Sequence, residues 1–139
     1  MQMQTKINDL IPGDYTEMET LKIYWHPNCS TCKKAVKFLD SNKLNYELID
    51  LREKAPNKTE LKTMMRNYPD AEKKLFNTSG QVYRENNYKE KILSLSKTDM
   101  VNELAQNGLL VKRPFLLKKD GLGQVGFKEE EWKKLLNLK

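Results

Sequence analysis

The chain has 139 residues, a length that suits one domain with a buried core and needs no disulfide staples. Two cysteines are too few for a secreted disulfide scaffold, and no stretch reaches the roughly 18 apolar residues of a membrane span. The first 20 residues lack the apolar core of a secretory signal, so we expect a cytoplasmic protein. The net charge of +6 comes from cations dispersed among acidic residues, a pattern typical of a solvated surface and not of a direct nucleic-acid site.

The first half of the chain predicts a strand, a helix and a second strand. Residues 1–20 are polar and predict an N-terminal extension, and residues 21–139 form the expected domain. Residues 21–25 alternate apolar and polar side chains, and the following His26-Pro27 pair ends that strand. Residues 30–40 have helical spacing, and residues 44–51 alternate again. Short joints between these elements predict a right-handed, parallel βαβ unit.

The middle of the chain, about residues 57–108, predicts an inserted helical block. Asn57 and Glu60 have the spacing of a capping box, and we expect Gly108 at the C′ position of the last helix. Further helices are expected at 71–76, 88–93 and 98–107, with a loop at 77–80. The chain then predicts an extended segment at 111–118, a strand at 123–127 and an amphipathic helix at 129–138. The expected fold class is therefore α/β with a helical insertion.

Cys29-Ser30-Thr31-Cys32 lies where the first strand passes into the first helix, and this placement indicates redox chemistry. Residues i and i+3 at a helix start have Cα atoms roughly 5–6 Å apart, within the range of a disulfide. The free N–H groups of a helix N-terminus favour a thiolate over a thiol, and Lys33 adds positive charge. We therefore expect Cys29 to attack and Cys32 to resolve.

Two other interpretations of the cysteine pair stay open at this point. A zinc site would need carboxylate ligands, because the pair supplies two ligands and His26 is the one histidine of the chain. Alternatively, both cysteines are inert core residues. The strand before the pair and the helix after it favour the redox interpretation.

The string IYWHPNCSTCKKAVKFLD, residues 23–40, resembles the opening of the ArsC family. Residues 75–80, the LLVKRP stretch at 109–114 and residues 125–127 agree with the same family. The C-x-x-C loop favours the Spx/YffB-like branch. The resemblance implies a thioredoxin-like fold, in which a βαβ unit is followed by a ββα unit in one mixed sheet, with the helical insertion between them.

The resemblance also implies roles for particular residues. Cys29 takes the position of the family's nucleophile, and Arg113 takes the position of an arginine that grips an oxyanion beside it. Pro114 takes the position of a cis-proline facing the nucleophile, so we expect a cis Arg113–Pro114 bond. We expect supporting roles for four residues near the loop: Pro27, Ser30, Thr31 and Lys33.

The sequence also departs from the glutaredoxin-coupled arsenate reductases that it resembles. Those enzymes use two more arginines, at positions that correspond here to residues 77–79 and to Gly126. Their active loop has a histidine where this chain has Trp25, with His26 displaced by one position, and they lack a cysteine at the position of Cys32. These departures predict inefficient reduction of arsenate and a disulfide resolved within the chain.

Three functions follow as hypotheses. The first is a monomeric thiol–disulfide oxidoreductase using Cys29 and Cys32 with no metal or organic cofactor, recharged by thioredoxin or by glutathione and glutaredoxin. The second is a redox-sensing transcriptional regulator resembling Spx, whose partner is RNA polymerase. The third is an arsenate reductase linked to one of the same thiol systems.

Overall fold

A four-stranded mixed sheet organises residues 19–138, which are the residues that the structure, a computed structural model, describes. Of the predicted N-terminal extension, all but Glu19 and Thr20 lies outside the described residues. The strands are β1 Thr20–Trp25, β2 Asn45–Asp50, β3 Phe115–Leu117 and β4 Gly123–Val125. Their order across the sheet is β2-β1-β3-β4, with β1 parallel to β2 and antiparallel to β3, and with β3 antiparallel to β4. The predicted βαβ and ββα units are confirmed, and the fold is thioredoxin-like.

Six α-helices surround this sheet in the described part of the chain. They are α1 Ser30–Ser41, α2 Lys58–Met65, α3 Gln81–Glu85, α4 Tyr88–Lys91, α5 Lys97–Gln106 and α6 Glu129–Leu135. Short 3-10 turns lie at Glu72–Leu75, Ile92–Ser94 and Gly108–Leu110. Among residues 19–138, no helix is both long enough and apolar enough to cross a membrane.

The sheet separates two apolar cores, because side chains alternate between its faces along each strand. Leu21 and Ile23 of β1 face one core, where α1 and α6 supply Phe38 and Trp132. Tyr24 faces the other core, which the helical block covers. The inserted helices therefore close one face of the sheet, while α1 and α6 close the opposite face.

Glu60 connects the helical block to the central strand. It forms the predicted capping box with Asn57 at the start of α2, and its carboxylate accepts the Tyr24 hydroxyl at 2.6 Å. Lys22 lies 2.7 Å from the other oxygen of the same carboxylate. Burial opposes ionisation of Glu60, but the hydrogen bonds from Lys22, Tyr24 and the Asn57 N–H outweigh it and lower the pKa of Glu60.

Gly108 lies at the expected C′ position, because α5 ends at Gln106 and Asn107 is its C-cap. Among the glycines, the positive φ values are at Gly121 and Gly126, and Gly108 also opens a 3-10 turn. A Cβ at Gly108 would lie 2.0 Å from the carbonyl oxygen of Leu51. A glycine is needed there because the backbone packs against the end of β2, not because the helix ends in a left-handed turn. No element was expected at Gln81–Glu85, where the structure has the helix α3.

Candidate active site at the Cys29–Cys32 loop

The loop after β1 presents Cys29 to the free amides of α1. Pro27 and Asn28 form a turn, which the Cys29 N–H closes by donating to the His26 carbonyl at 3.1 Å. Cys29 is then the N-cap of α1, and its sulfur accepts the N–H of Cys32 at 3.3 Å. A sulfur in this position receives the partial positive charge of the helix N-terminus.

The two cysteine side chains have different environments. Cys29 is partly exposed, whereas Cys32 is fully buried at 0% exposure. Burial and the neighbouring Cys29 sulfur raise the pKa of Cys32 to about 12, although a backbone N–H of His26 and the charge of Arg113 act in the opposite direction. The accessible sulfur is therefore that of Cys29, and Cys32 is held as a thiol at neutral pH.

Arg113 and Pro114 lie beside this loop because β1 and β3 are antiparallel neighbours. Tyr24, near the end of β1, pairs with Phe115 at the start of β3, so the segment before Phe115 reaches the loop. The Arg113–Pro114 bond is cis, which confirms the expectation from the sequence. Arg113 is half-buried, donates to the Leu109 carbonyl at 3.2 Å and acts electrostatically on His26 as well as on Cys32.

His26 is a feature of the site to which the sequence assigned no role. Burial and the positive charges of Arg113 and Arg52 lower the pKa of His26, although Asp50 opposes them. Its Nδ1 accepts the Asn28 N–H at 3.0 Å, so a neutral ring carries its proton on Nε2. The imidazole therefore adds no fixed positive charge to the loop at neutral pH.

The remaining predicted residues surround the loop in different ways. Ser30 and Lys33 are exposed in the first turn of α1, and Thr31 is half-buried. Pro27 is half-buried in the turn, and Pro114 is buried. Among residues 19–138, no three His, Cys, Asp or Glu side chains come together as a metal site would require.

A groove of about 690 Å³ adjoins the loop. We call it the basic groove, defined by Thr31, Lys73, Lys74, Lys89, Lys112, Arg113 and Lys128 along its lining. Thr78 and Gly126 also line the groove. These two neutral residues lie at the positions where, by the sequence resemblance, glutaredoxin-coupled arsenate reductases have arginines. The sequence did not indicate the groove, because its cations come from distant segments and form no run of charge.

The chain was compared with known proteins, and residues 24–135 match the ArsC family. YusI of Bacillus subtilis (strain 168), an uncharacterized protein, is 40% identical over 113 residues, which cover 81% of this chain and 95% of YusI. The global transcriptional regulator Spx of Enterococcus faecalis is 27% identical over 116 residues, which cover 84% of this chain and 86% of Spx.

A solved structure agrees with these relatives. The crystal structure of a possible arsenate reductase from Streptococcus mutans UA159 has a TM-score of 0.75 and 36% identity, and the match covers 83% of this chain and 98% of that protein. The family match runs from the second half of β1 to the end of α6, and it includes both cysteines and Arg113. The chain therefore belongs to the ArsC family.

Proposed function

We propose that the protein is a thiol–disulfide oxidoreductase in which Cys29 is the nucleophile and Cys32 is the resolving thiol. The observation that carries the proposal is the position of Cys29, partly exposed at the N-cap of α1 with its sulfur 3.3 Å from the Cys32 N–H. A thiolate at a helix N-terminus is the attacking species in disulfide exchange.

The reaction conserves two electrons. The Cys29 thiolate attacks one sulfur of a substrate disulfide, a mixed disulfide forms, and the other substrate sulfur leaves and takes up a proton. Cys32 then loses its proton and attacks the Cys29 sulfur, which forms the Cys29–Cys32 disulfide and releases the second substrate thiol. An external dithiol, or two molecules of a monothiol such as glutathione, reverses the oxidation of the protein.

The raised pKa of Cys32 agrees with its proposed role as the resolving thiol, which reacts after Cys29. Its neighbour Cys29 contributes to the rise both by hydrogen bonding and by charge. In a mixed disulfide the Cys29 sulfur carries no charge, so this contribution disappears. The His26 N–H and Arg113, which favour the Cys32 thiolate, remain in place. Burial, the largest cause of the raised pKa, remains, but formation of the mixed disulfide lowers the pKa of Cys32 and so favours the resolving step.

The differences between this sequence and the glutaredoxin-coupled arsenate reductases argue against efficient reduction of arsenate. A tetrahedral oxyanion at the loop would have Arg113 as its guanidinium partner, whereas Thr78 and Gly126 offer no charge where the resembling enzymes place arginines. Each lost charge-assisted contact costs about 1.5–3 kcal/mol, so two losses would slow turnover by about a hundredfold or more. We therefore propose disulfides, and not arsenate, as the preferred substrates of a monomer that works in the cytoplasm.

A steady-state assay tests both parts of this proposal. Turnover of a disulfide substrate is measured with thioredoxin or with glutathione and glutaredoxin as reductant, and each series is repeated with arsenate as the substrate. We expect disulfide turnover that is lost in Cys29→Ser and arsenate turnover that is weak or absent. Arsenate turnover comparable to that of a glutaredoxin-coupled arsenate reductase measured alongside would contradict the proposal, as would disulfide turnover that survives in Cys29→Ser.

A second candidate function is a redox-sensing transcriptional regulator that binds RNA polymerase. The observation that favours it is the 27% identity over 116 residues with the E. faecalis protein named as the global transcriptional regulator Spx. In this case the Cys29–Cys32 pair would switch binding and would need no turnover. Retention of polymerase subunits by the tagged Cys29→Ser/Cys32→Ser protein, together with no turnover by the unmodified protein, would favour the regulator.

A further inference from the structure

The basic groove lies next to the proposed nucleophile. Thr31, which follows Cys29 by two residues, and Arg113, which acts on Cys32, both line it. The groove extends from there to the helical block, where Lys73, Lys74 and Lys89 line it. A molecule that occupies the groove therefore lies next to the first turn of α1, the helix that Cys29 caps.

The charged side chains that line the basic groove are mostly positive. Six lining side chains are cations and one, Glu131, is an acid. Glu131 lies 3.9 Å from Lys128. For the other five cations, no carboxylate of residues 19–138 lies within 4.0 Å. Like charges gathered in a cleft reinforce one another, so the groove attracts a ligand that carries several negative charges.

The basic groove also has apolar surface. Phe76, Tyr83, Ile92 and Phe127 contribute to its lining. Leu93 lines it as well, and this leucine is 80% exposed. An apolar side chain of the ligand would cover Leu93 and remove it from water, which a small inorganic oxyanion cannot do.

We propose that the basic groove docks an acidic, extended segment of a partner protein and presents the disulfide of that segment to Cys29. The proposal rests on the oxidoreductase function proposed above and names its substrate class. Glutamates or aspartates of the segment would lie against Lys73, Lys74 and Lys89, and an apolar residue would pack on Leu93. Docking of this kind would let the protein distinguish its substrate disulfide from others by charge.

Two other anionic ligands fit the groove less well. Single-stranded nucleic acid binds by stacking bases on exposed aromatic rings, but Phe76 is 1% exposed and Tyr83 is 9% exposed. Tyr68 and Phe127 are half-buried, and the Phe127 ring already packs against Phe38 and Trp132. Glutathione disulfide carries carboxylates but also two ammonium groups, so its net charge of about −2 at neutral pH would balance only part of the charge of the six cations. A longer acidic segment uses both the charge and the apolar surface.

The test compares two peptides and two protein variants. Both peptides carry one cysteine joined to thionitrobenzoate as a mixed disulfide; one has glutamates and a leucine around the cysteine, and the other has glutamine in place of each glutamate. The groove variant is Lys73→Gln/Lys74→Gln/Lys89→Gln. The matched control, Lys37→Gln/Lys58→Gln/Lys119→Gln, removes the same charge from exposed lysines that do not line the groove. The protein is reduced beforehand and used without added reductant, so release of thionitrobenzoate in a single turnover measures the second-order rate constant of exchange at low and at raised salt.

We expect the unmodified protein to prefer the acidic peptide by about tenfold or more at low salt and to lose that preference as salt is raised. The groove variant should lose most of the preference and keep its rate with the glutamine peptide, and the control variant should resemble the unmodified protein. Equal rates for the two peptides, or equal losses in the two triple variants, would overturn the proposal while leaving exchange at Cys29 intact.

Binding is also measured with a peptide that cannot exchange disulfides. This measurement distinguishes a failure of the docking proposal from a failure of the proposed oxidoreductase function. A fluorescent acidic peptide with serine in place of its cysteine is titrated with each protein. If no thionitrobenzoate is released from either peptide, exchange at Cys29 is wrong, and weaker binding by the groove variant alone would still support docking. Equal binding by both variants, or tighter binding of glutathione disulfide or a single-stranded oligonucleotide than of the peptide, would overturn the proposal.

Discussion

Cys29 and Cys32 have the same side chain and are separated by one helical turn, but burial gives them different chemistry. The sulfur of Cys29 is within reach of solvent and faces an N–H of α1, whereas Cys32 is enclosed at 0% exposure with its pKa raised to about 12. The spacing of the two residues was readable from the sequence. Their order on the helix predicted which cysteine attacks and which resolves, and the cause of their different burial, the core beneath α1, is visible in the packing.

The first residue-scale prediction is selective alkylation. Iodoacetamide at neutral pH should modify Cys29 in the folded, reduced protein and leave Cys32 unmodified, because burial keeps Cys32 as an inaccessible thiol. Mass spectrometry of peptides from protein labelled before and after unfolding measures the ratio. Cys29→Ser should then resist labelling until it unfolds. Equal labelling of both cysteines in the folded protein would contradict the assignment of roles.

The second prediction concerns Arg113, whose charge acts on the cysteine loop. Arg113→Gln should slow disulfide exchange by about fivefold, since a partly exposed charge interaction contributes about 1 kcal/mol. The pH profile of the resolving step, measured as release of the second substrate thiol, should move to higher pH, because a positive charge that favours the Cys32 thiolate has been removed. Arg113→Lys should restore part of the rate, and Arg66→Gln, which removes an exposed guanidinium elsewhere, should change neither measurement. An unchanged pH profile of the resolving step in Arg113→Gln would show that the residue has a structural role alone.

At the scale of helices, strands and turns, a feature could be predicted from the sequence when the residues that cause it are close together in the chain. The strand β1, the helix α1 and the capping box at Asn57 follow from side chains close together in sequence, and all were predicted. The role of Gly108 was missed because its cause is the Leu51 carbonyl, 57 positions earlier in the chain. Helix α3, with five residues, carries too weak a periodic signal to distinguish from a loop.

Glu60 gives the element-scale prediction, since it ties α2 to β1. Glu60→Gln should lower the free energy of unfolding by about 2 kcal/mol at neutral pH, because the amide keeps an acceptor for Tyr24 but loses its charge beside Lys22. Urea unfolding of the variant, with Glu53→Gln as an exposed control, measures the difference.

The same variant should show a defined dependence on pH. The pKa of Glu60 is lowered in the folded protein, so its stabilising contribution is complete above the unfolded value near 4.3 and is lost as pH falls through the folded value. The stability gap between the unmodified protein and Glu60→Gln should therefore narrow below about pH 4. A gap that is constant from pH 7 to below pH 4 would show that the charge of Glu60 contributes nothing.

At the scale of the whole molecule, the fold gathers charges that the sequence disperses. The lysines of the basic groove come from the helical block, from the segment before β3 and from the segment before α6. No window of sequence contains enough of them to distinguish a binding groove from a solvated surface. These charges come together because the strand order β2-β1-β3-β4 brings the start of β3 beside the loop after β1.

The last prediction is that oxidation gives an intramolecular Cys29–Cys32 disulfide in a protein that stays monomeric. The Cys29 sulfur is 3.3 Å from the backbone nitrogen of Cys32, so the partner thiol within the chain is far more concentrated around it than a second protein molecule can be. Diamide treatment should give a mass loss of about 2 Da and no dimer on a non-reducing gel. Cys32→Ser should instead form dimers or mixed disulfides with added glutathione, because Cys29 remains accessible. Cys29→Ser should stay reduced while folded, since Cys32 is enclosed. A disulfide-linked dimer of the unmodified protein with Cys32 still free would show that Cys32 does not resolve the intermediate.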